Sequence, residues 1–186
     1  MNICNRFLEH ILNINILIAI AFCLVGLITV YKKYKANNKQ THLWRQKSAK
    51  KLHKSLKSIE HNGQIISYLR KIVFEELLLI AVAQNPKCKV IRNDRYTGDG
   101  GIDGKFILNN KLYIIQAKRY KSIIHSQDIL DFIRKINETQ AHKGLFIHTG
   151  RTNTNSWRFC SNDDNIEIIS GARLVHLIRF GYINAN

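Results

Sequence analysis

The chain has 186 residues, with 29 Lys or Arg against 13 Asp or Glu and a formal net charge of +16. At 45% hydrophobic it carries enough apolar mass for one ordinary domain plus an appendage, which excludes a wholly disordered chain. The charge calls for a polyanionic partner, either nucleic acid or an anionic membrane surface. The four cysteines (Cys4, Cys23, Cys88, Cys160) lie far apart with no CxxC or Cys/His ligand spacing, so a disulfide frame and a zinc site are both excluded and reduced thiols in a cytosolic domain are expected.

Residues 11–30, ILNINILIAIAFCLVGLITV, contain no charge. As a helix they would extend roughly 30 Å, the thickness of a bilayer core. Asn13 and Asn15 are costly in lipid but sit near the entry end. Tyr31, Lys32, Lys33, Tyr34 and Lys35 follow at once, whereas Arg6 on the other side is offset by Glu9. That bias predicts a single-pass inner-membrane anchor with the C-terminal bulk in the cytoplasm. A cleaved signal peptide and a buried helix of a soluble core are the rivals; the lysine cluster in place of a cleavage site disfavours the first.

Residues 32–59 hold ten Lys or Arg and no acid. Leu52, Leu56 and Ile59 recur at helical spacing, which predicts a basic helix. It would contact lipid headgroups or nucleic-acid phosphates, or act as a charged spacer. The organisation expected is therefore an anchor over 1–31, a basic linker or helix over 32–61, and a folded domain over 62–186.

Within that domain Ile65, Ile66, Leu69, Ile72, Val73, Leu77 and Ile80 predict one helix across 64–84, stopped before Pro86. CKVIRN, IDGKFILNN and KLYIIQAKRY read as three strands. SQDILDFIRKINETQAHKG reads as an amphipathic helix capped by Ser126 and ended by Gly144. LFIHT is a strand, NTNSWRFCSNDD a helix, IEIIS a strand and ARLVHLIRFG a closing helix. An antiparallel opening that passes into crossover units predicts an α/β fold with a mixed central sheet flanked by helices.

Asn109-Asn110 suits a type I′ hairpin turn, since Asn tolerates positive φ at both positions. Leu108 then faces Lys111, and Asp103 falls directly across from Gln116, with Lys118 on the same face. Asp103 would offer a carboxylate to a hard cation such as Mg²⁺, with neutral oxygens from Gln116 and the Ala117 main-chain carbonyl. Lys118 would orient a nucleophile and offset phosphate charge. The same spacing would equally give an Asp–Lys ion pair on a strand edge, and both readings stand on spacing alone.

Taken together, FE at 74–75, GDGGIDG at 98–104 and QAKRY at 116–120 resemble the catalytic core of the Mrr-type restriction endonucleases, a branch of the PD-(D/E)xK nucleases. KGLFIHTG and IEIISGARLVHLI resemble the family's later strand and closing strand–helix, so the resemblance covers about 62–182. It implies a restriction-endonuclease-like core and a Mg²⁺-dependent DNA endonuclease. Glu75 would match the acid of the first helix, Asp103 the metal-binding acid, Gln116 the first residue of Q-x-K and Lys118 the catalytic lysine. Glu75 would be the weaker metal ligand. Lys105, Arg119 and Lys121 are expected at phosphates, and Asp99 would shape the glycine loop. Glu76, about 100° round the helix from Glu75, is expected to be a solvated charge. A homodimer would allow both strands to be cut.

The chain departs from the family's common architecture, because an apparent anchor and basic spacer stand where many relatives carry a DNA-reading domain. That places recognition of methylated DNA in doubt. The alternative function is a catalytically inactive nucleic-acid-binding or membrane-assembly protein; action on RNA is a third reading. His125, His142 and His148 lack ligand spacing, and His148 is expected to be structural. Trp44 and Trp157 are expected in ordinary packing.

Overall fold

The structure is a computed structural model that describes residues 3–69, 74–92, 101–161 and 163–182, with side chains from residue 15 onward. Helix α1 (Ile3–Lys57) is followed by α2 (Asn62–Leu69), α3 (Phe74–Val82), β1 (Cys88–Ile91), β2 (Gly104–Leu108), β3 (Lys111–Lys118), α4 (Ser126–Thr139), β4 (Lys143–His148), α5 (Thr154–Ser161), β5 (Ile166–Ile169) and α6 (Gly171–Phe180). The chain divides into two units, Met1–Trp44 and Arg45–Asn186.

In the first unit the described side chains of residues 15–30 are exposed, among them Phe22 and Leu27. Among the described residues this is one helix long and apolar enough to cross a membrane, with a mean hydropathy of 2.0 in its most apolar window.

The second unit is built on a five-stranded sheet in the order β1-β2-β3-β4-β5. The first three strands are antiparallel; β4 and β5 join parallel to β3. The mixed sheet read from the sequence is therefore present. Asn109 and Asn110 both take positive φ (52° and 61°), and Leu108 pairs with Lys111. The turn chemistry thus sets the register of the whole hairpin.

One face of the sheet (Phe106, Tyr113, Ile115, Leu145, Ile147) packs with α2, α3 and α6, and the other (Ile114, Phe146, Ile168) with α4. The second unit starts earlier than the expected boundary at 62. Ala49 and Leu56 are fully buried in the first of these clusters, and the His53 Nε2–H donates to the Ile178 carbonyl at 2.7 Å. Residues 45–57 dock by an apolar face too short and too lysine-flanked to stand out in the sequence.

The helix expected over 64–84 is represented by α2 and α3, and the part of that reading that falls on 70–73 lies outside the described residues. Two local readings are corrected. Helix α4 follows His125 as N-cap, and Ser126 Oγ instead lies 3.3 Å from Ser156 Oγ. The helix ends at Gln140, in the left-handed conformation, and Gly144 sits inside β4, where an added Cβ would fall 2.4 Å from Ile136 Cδ1. Close helix–strand packing, not helix termination, requires that glycine. Finally, Trp44 and Trp157 are exposed at 62% and 46%, so neither is a buried core residue.

Candidate active site

The chemistry gathers where β2 begins and β3 ends. Gly101 leads in with φ +90°, and its carbonyl accepts a hydrogen bond from Gln116 Nε2 at 2.9 Å. A side chain there would collide with that amide, since a Cβ would lie 2.9 Å from it. Gln116 is buried, and among the described residues its Oε1 has no hydrogen-bond partner. A buried, unpartnered carbonyl oxygen is costly unless a donor or cation serves it.

Asp103 arrives by a different route from the one expected. Its N–H donates to the Ile115 carbonyl at 2.8 Å, although Ile115 is already paired with Gly104 in the ladder. Two successive residues thus face one, in the manner of a β-bulge. Asp103 is not paired squarely with Gln116. Its carboxylate reaches along the sheet edge, where Oδ2 accepts the Ala117 N–H at 2.7 Å. In an antiparallel ladder a residue's N–H and C=O point to the same neighbour, so the Ala117 carbonyl is directed to the Asp103 side as well.

Lys118 shares the Gln116 face of β3 by strand alternation. It is half-exposed, and its Nζ lies 3.5 Å from Asp128 Oδ1 on α4. Asp128 Oδ2 also accepts the Tyr120 hydroxyl. Burial, reinforced by that carboxylate, holds the Tyr120 phenol well above its usual range. The Tyr120 ring meets His125 and His148 edge-on, at centroid distances of 5.8 and 6.4 Å. His148 is fully buried and lies 3.0 Å from Thr152 Oγ1. Burial pushes its imidazole down to about 4. It is placed as a structural histidine.

Helix α3 lies against the start of β2, since a Cβ on Gly104 would sit 2.5 Å from Leu79 Cδ2. Glu75 on that helix is half-buried and makes no hydrogen bond or ion pair among the described residues. Glu76 is the correction. It is only 1% exposed and takes the Arg92 guanidinium at 2.9 Å. Nearly every side chain of α3 is buried, so the helix has no solvated face to offer position 76. Extending the β1–β2 register (Ile91 with Lys105) sets Arg92 across from Gly104, beside Asp103. Lys105 is half-buried on the Gln116 face, while Arg119 and Lys121 are exposed beyond β3. Asp99 lies outside the described residues.

Asp128, Tyr120 and the Glu76–Arg92 pair were not singled out by sequence reading. Only the acid in the first turn of α4 offered a signal, and it had no sequence-local link to Lys118.

The fold is a restriction-endonuclease-like α/β domain, a mixed five-stranded sheet flanked by helices. The family model of the Mrr catalytic domain, a restriction endonuclease, matches residues 69–178, and the chain belongs to that family. It is 33% identical over 86 residues to the type IV methyl-directed restriction enzyme EcoKMrr of Escherichia coli strain K12, an alignment covering 44% of this chain and 28% of that protein. The chain thus spans under a third of that relative's length. Among solved structures, the MspJI restriction endonuclease in complex with a 27-mer oligonucleotide matches at 16% identity with a TM-score of 0.45, covering 72% of this chain and 30% of the other.

Proposed function

We propose that the chain is a membrane-anchored, Mg²⁺-dependent DNA endonuclease that hydrolyses phosphodiester bonds. The observation that carries the reading is a pair of hydrogen bonds at one end of a Mrr-family sheet, from the Ala117 N–H to Asp103 and from Gln116 to the Gly101 carbonyl, which hold the entry to β2 against the end of β3.

The donor set fits a hard cation. One carboxylate, an amide oxygen with no partner among the described residues and a main-chain carbonyl are all oxygens, and Mg²⁺ takes few protein ligands while keeping its waters. Among the described residues no three His, Cys, Asp or Glu side chains converge, so the described groups make no nitrogen- or sulfur-rich site. Asp103, Gln116 and the Ala117 carbonyl would hold the ion, with Glu75 as a weaker contributor. When bound, it supplies Lewis-acid polarisation of a phosphoryl oxygen.

The chain's own groups do the rest. The Ala117 N–H fixes the Asp103 carboxylate. Asp128 draws the Lys118 ammonium to one side, where it orients an attacking water and offsets phosphate charge. Water adds to phosphorus as one P–O ester bond breaks, and the departing oxygen takes up a proton. Lys105, Arg119 and Lys121 contact flanking phosphates. DNA as substrate follows the restriction enzymes the chain resembles. A preference for methylated bases is not carried over, because the shared segment is a small part of that relative.

Residues 11–30 would cross the inner membrane, with Lys32, Lys33 and Lys35 keeping the catalytic unit in the cytoplasm. Cutting both strands would require a homodimer or two successive events. The test is plasmid cleavage by the full chain in detergent, with Mg²⁺, with EDTA, and with Asp103→Ala or Lys118→Ala. Cleavage should need the metal and fail in both variants. Undiminished cleavage by both removes the mechanism, whereas DNA binding without cleavage in any divalent metal favours the non-catalytic alternative.

A further inference from the structure

The lysines of residues 45–57 are arranged on the folded unit in a way that the nuclease reading does not use. At 100° per residue, Lys47, Lys50, Lys51, Lys54 and Lys57 fall within an arc of about 120° on α1. All five are exposed. The opposite arc carries Ala49, His53 and Leu56, buried against the sheet's α6 side. Lysine heads and apolar core contacts thus divide one short helical segment between them.

Two features set this face apart from an ordinary solvated helix. No acid occurs between residues 45 and 59, and among the described residues none of the five lysines has a carboxylate partner. Protein surfaces normally intersperse both signs, and like charges at i,i+3 and i,i+4 repel. The second feature is attachment. The buried Ala49 and Leu56 and the 2.7 Å bond to Ile178 fix the lysines to the catalytic unit, so they are not carried on a free linker.

We propose that this lysine face is a sequence-independent DNA-backbone-binding ridge built into the nuclease unit. The proposal rests on the nuclease reading for its choice of polyanion. From Lys47 to Lys57 the ridge runs about 15 Å, the axial reach of roughly four phosphates on one strand. Lysines suit this task because they act as point charges on flexible stems and carry no base code. The fixed attachment favours DNA over lipid headgroups, since it ties the positive charge to the unit that carries Asp103 and Lys118.

The experiment uses the full chain in neutral phosphatidylcholine nanodiscs and a 30-base-pair duplex. Lys50→Gln/Lys51→Gln/Lys54→Gln is compared with wild type, both carrying Asp103→Ala so that binding is read without cutting. The triple change is expected to weaken binding roughly ten- to a hundredfold at physiological salt and to flatten the slope of log K against log salt by about two to three. An unchanged melting temperature would show that the exposed substitutions left the fold intact. Lysine acylation read by mass spectrometry should show these residues protected by duplex. An unchanged affinity and slope overturns the ridge. Protection that arises only in phosphatidylglycerol discs, with none from duplex, overturns it in favour of a lipid contact. A wild-type chain that never cuts but binds through these lysines defeats the nuclease reading and leaves the ridge standing.

Discussion

Asp103 Oδ2 accepts the Ala117 main-chain N–H across 2.7 Å. The carboxylate is therefore both a candidate ligand and a structural acceptor that ends the β2–β3 ladder. These roles separate by substitution. Asp103→Asn keeps an amide oxygen for the Ala117 N–H, and should stay within about 1 kcal/mol of wild-type stability. Asp103→Ala strands that donor and should cost about 1–3 kcal/mol. Both should lower cleavage by roughly a hundredfold or more, as loss of a charged catalytic group does. Melting curves and plasmid nicking on the two variants check this; an Asn variant that cuts at the wild-type rate removes Asp103 from the chemistry.

Lys118 is held from the side by Asp128, which also accepts the Tyr120 hydroxyl. Replacing Asp128 with Asn removes the charge that draws the ammonium toward α4. Turnover should fall about tenfold with DNA affinity nearly unchanged, the pattern of a lost transition-state interaction. Tyr120→Phe removes only one hydrogen bond and should have the smaller effect. A loss confined to affinity would instead place Asp128 among the groups that handle DNA.

The contrast between these residues shows what a sequence can carry. Asn109-Asn110 announced the hairpin, and from the turn alone the pairing of Leu108 with Lys111 followed, because turn geometry and a period of two fix a register locally. The bulge at Asp103 was not legible, since it depends on how Gly101 and Gly104 meet Gln116 and Leu79 from other elements. The same holds for Glu76. Its helical angle predicted solvent, but the burial of nearly all of α3 decided otherwise. Asp128 and Ala49 are likewise residues whose role is set by a partner on another element, Lys118 at the end of β3 in one case and the α6 side of the sheet in the other. Local pattern reaches the strands and the Gln116–Lys118 face, and stops where long-range side-chain contacts begin.

Gly150 marks such a contact beside the site. A Cβ there would lie 2.3 Å from the Ser122 carbonyl oxygen and 2.6 Å from Tyr120 Cβ. The obstacle is backbone, held in place because the Arg151 N–H donates to that same carbonyl at 2.9 Å. Gly150→Ala should destabilise the unit by about 1–3 kcal/mol, as overpacking does. Because the displaced segment carries Tyr120, activity of the surviving folded fraction should fall as well. A melting temperature equal to wild type would show that the loop yields freely.

The buried histidines give the unit a pH dependence of defined sign. Burial pushes His148 down to about 4, opposed in part by a hydrogen bond with the Gly150 backbone. Burial also lowers His53, opposed by the Ile178 carbonyl and assisted by the charge of Lys57. Each is therefore neutral when folded but protonates near 6.5 when unfolded. Below 6.5 the unfolded chain takes up protons that the folded chain refuses, so stability is full above that value and falls as the solution is acidified toward 4. Between pH 6.5 and 5, above the range where carboxylates begin to titrate, His148 alone accounts for a loss on the order of 2 kcal/mol. His148→Gln removes the titrating ring while keeping a polar group for Thr152, and should flatten the melting temperature over this interval; adding His53→Gln should flatten it further. If wild-type stability instead holds constant from pH 7 to 5, the two imidazoles are not buried in the neutral form, and the packing of Tyr120 against His148 goes with that assignment.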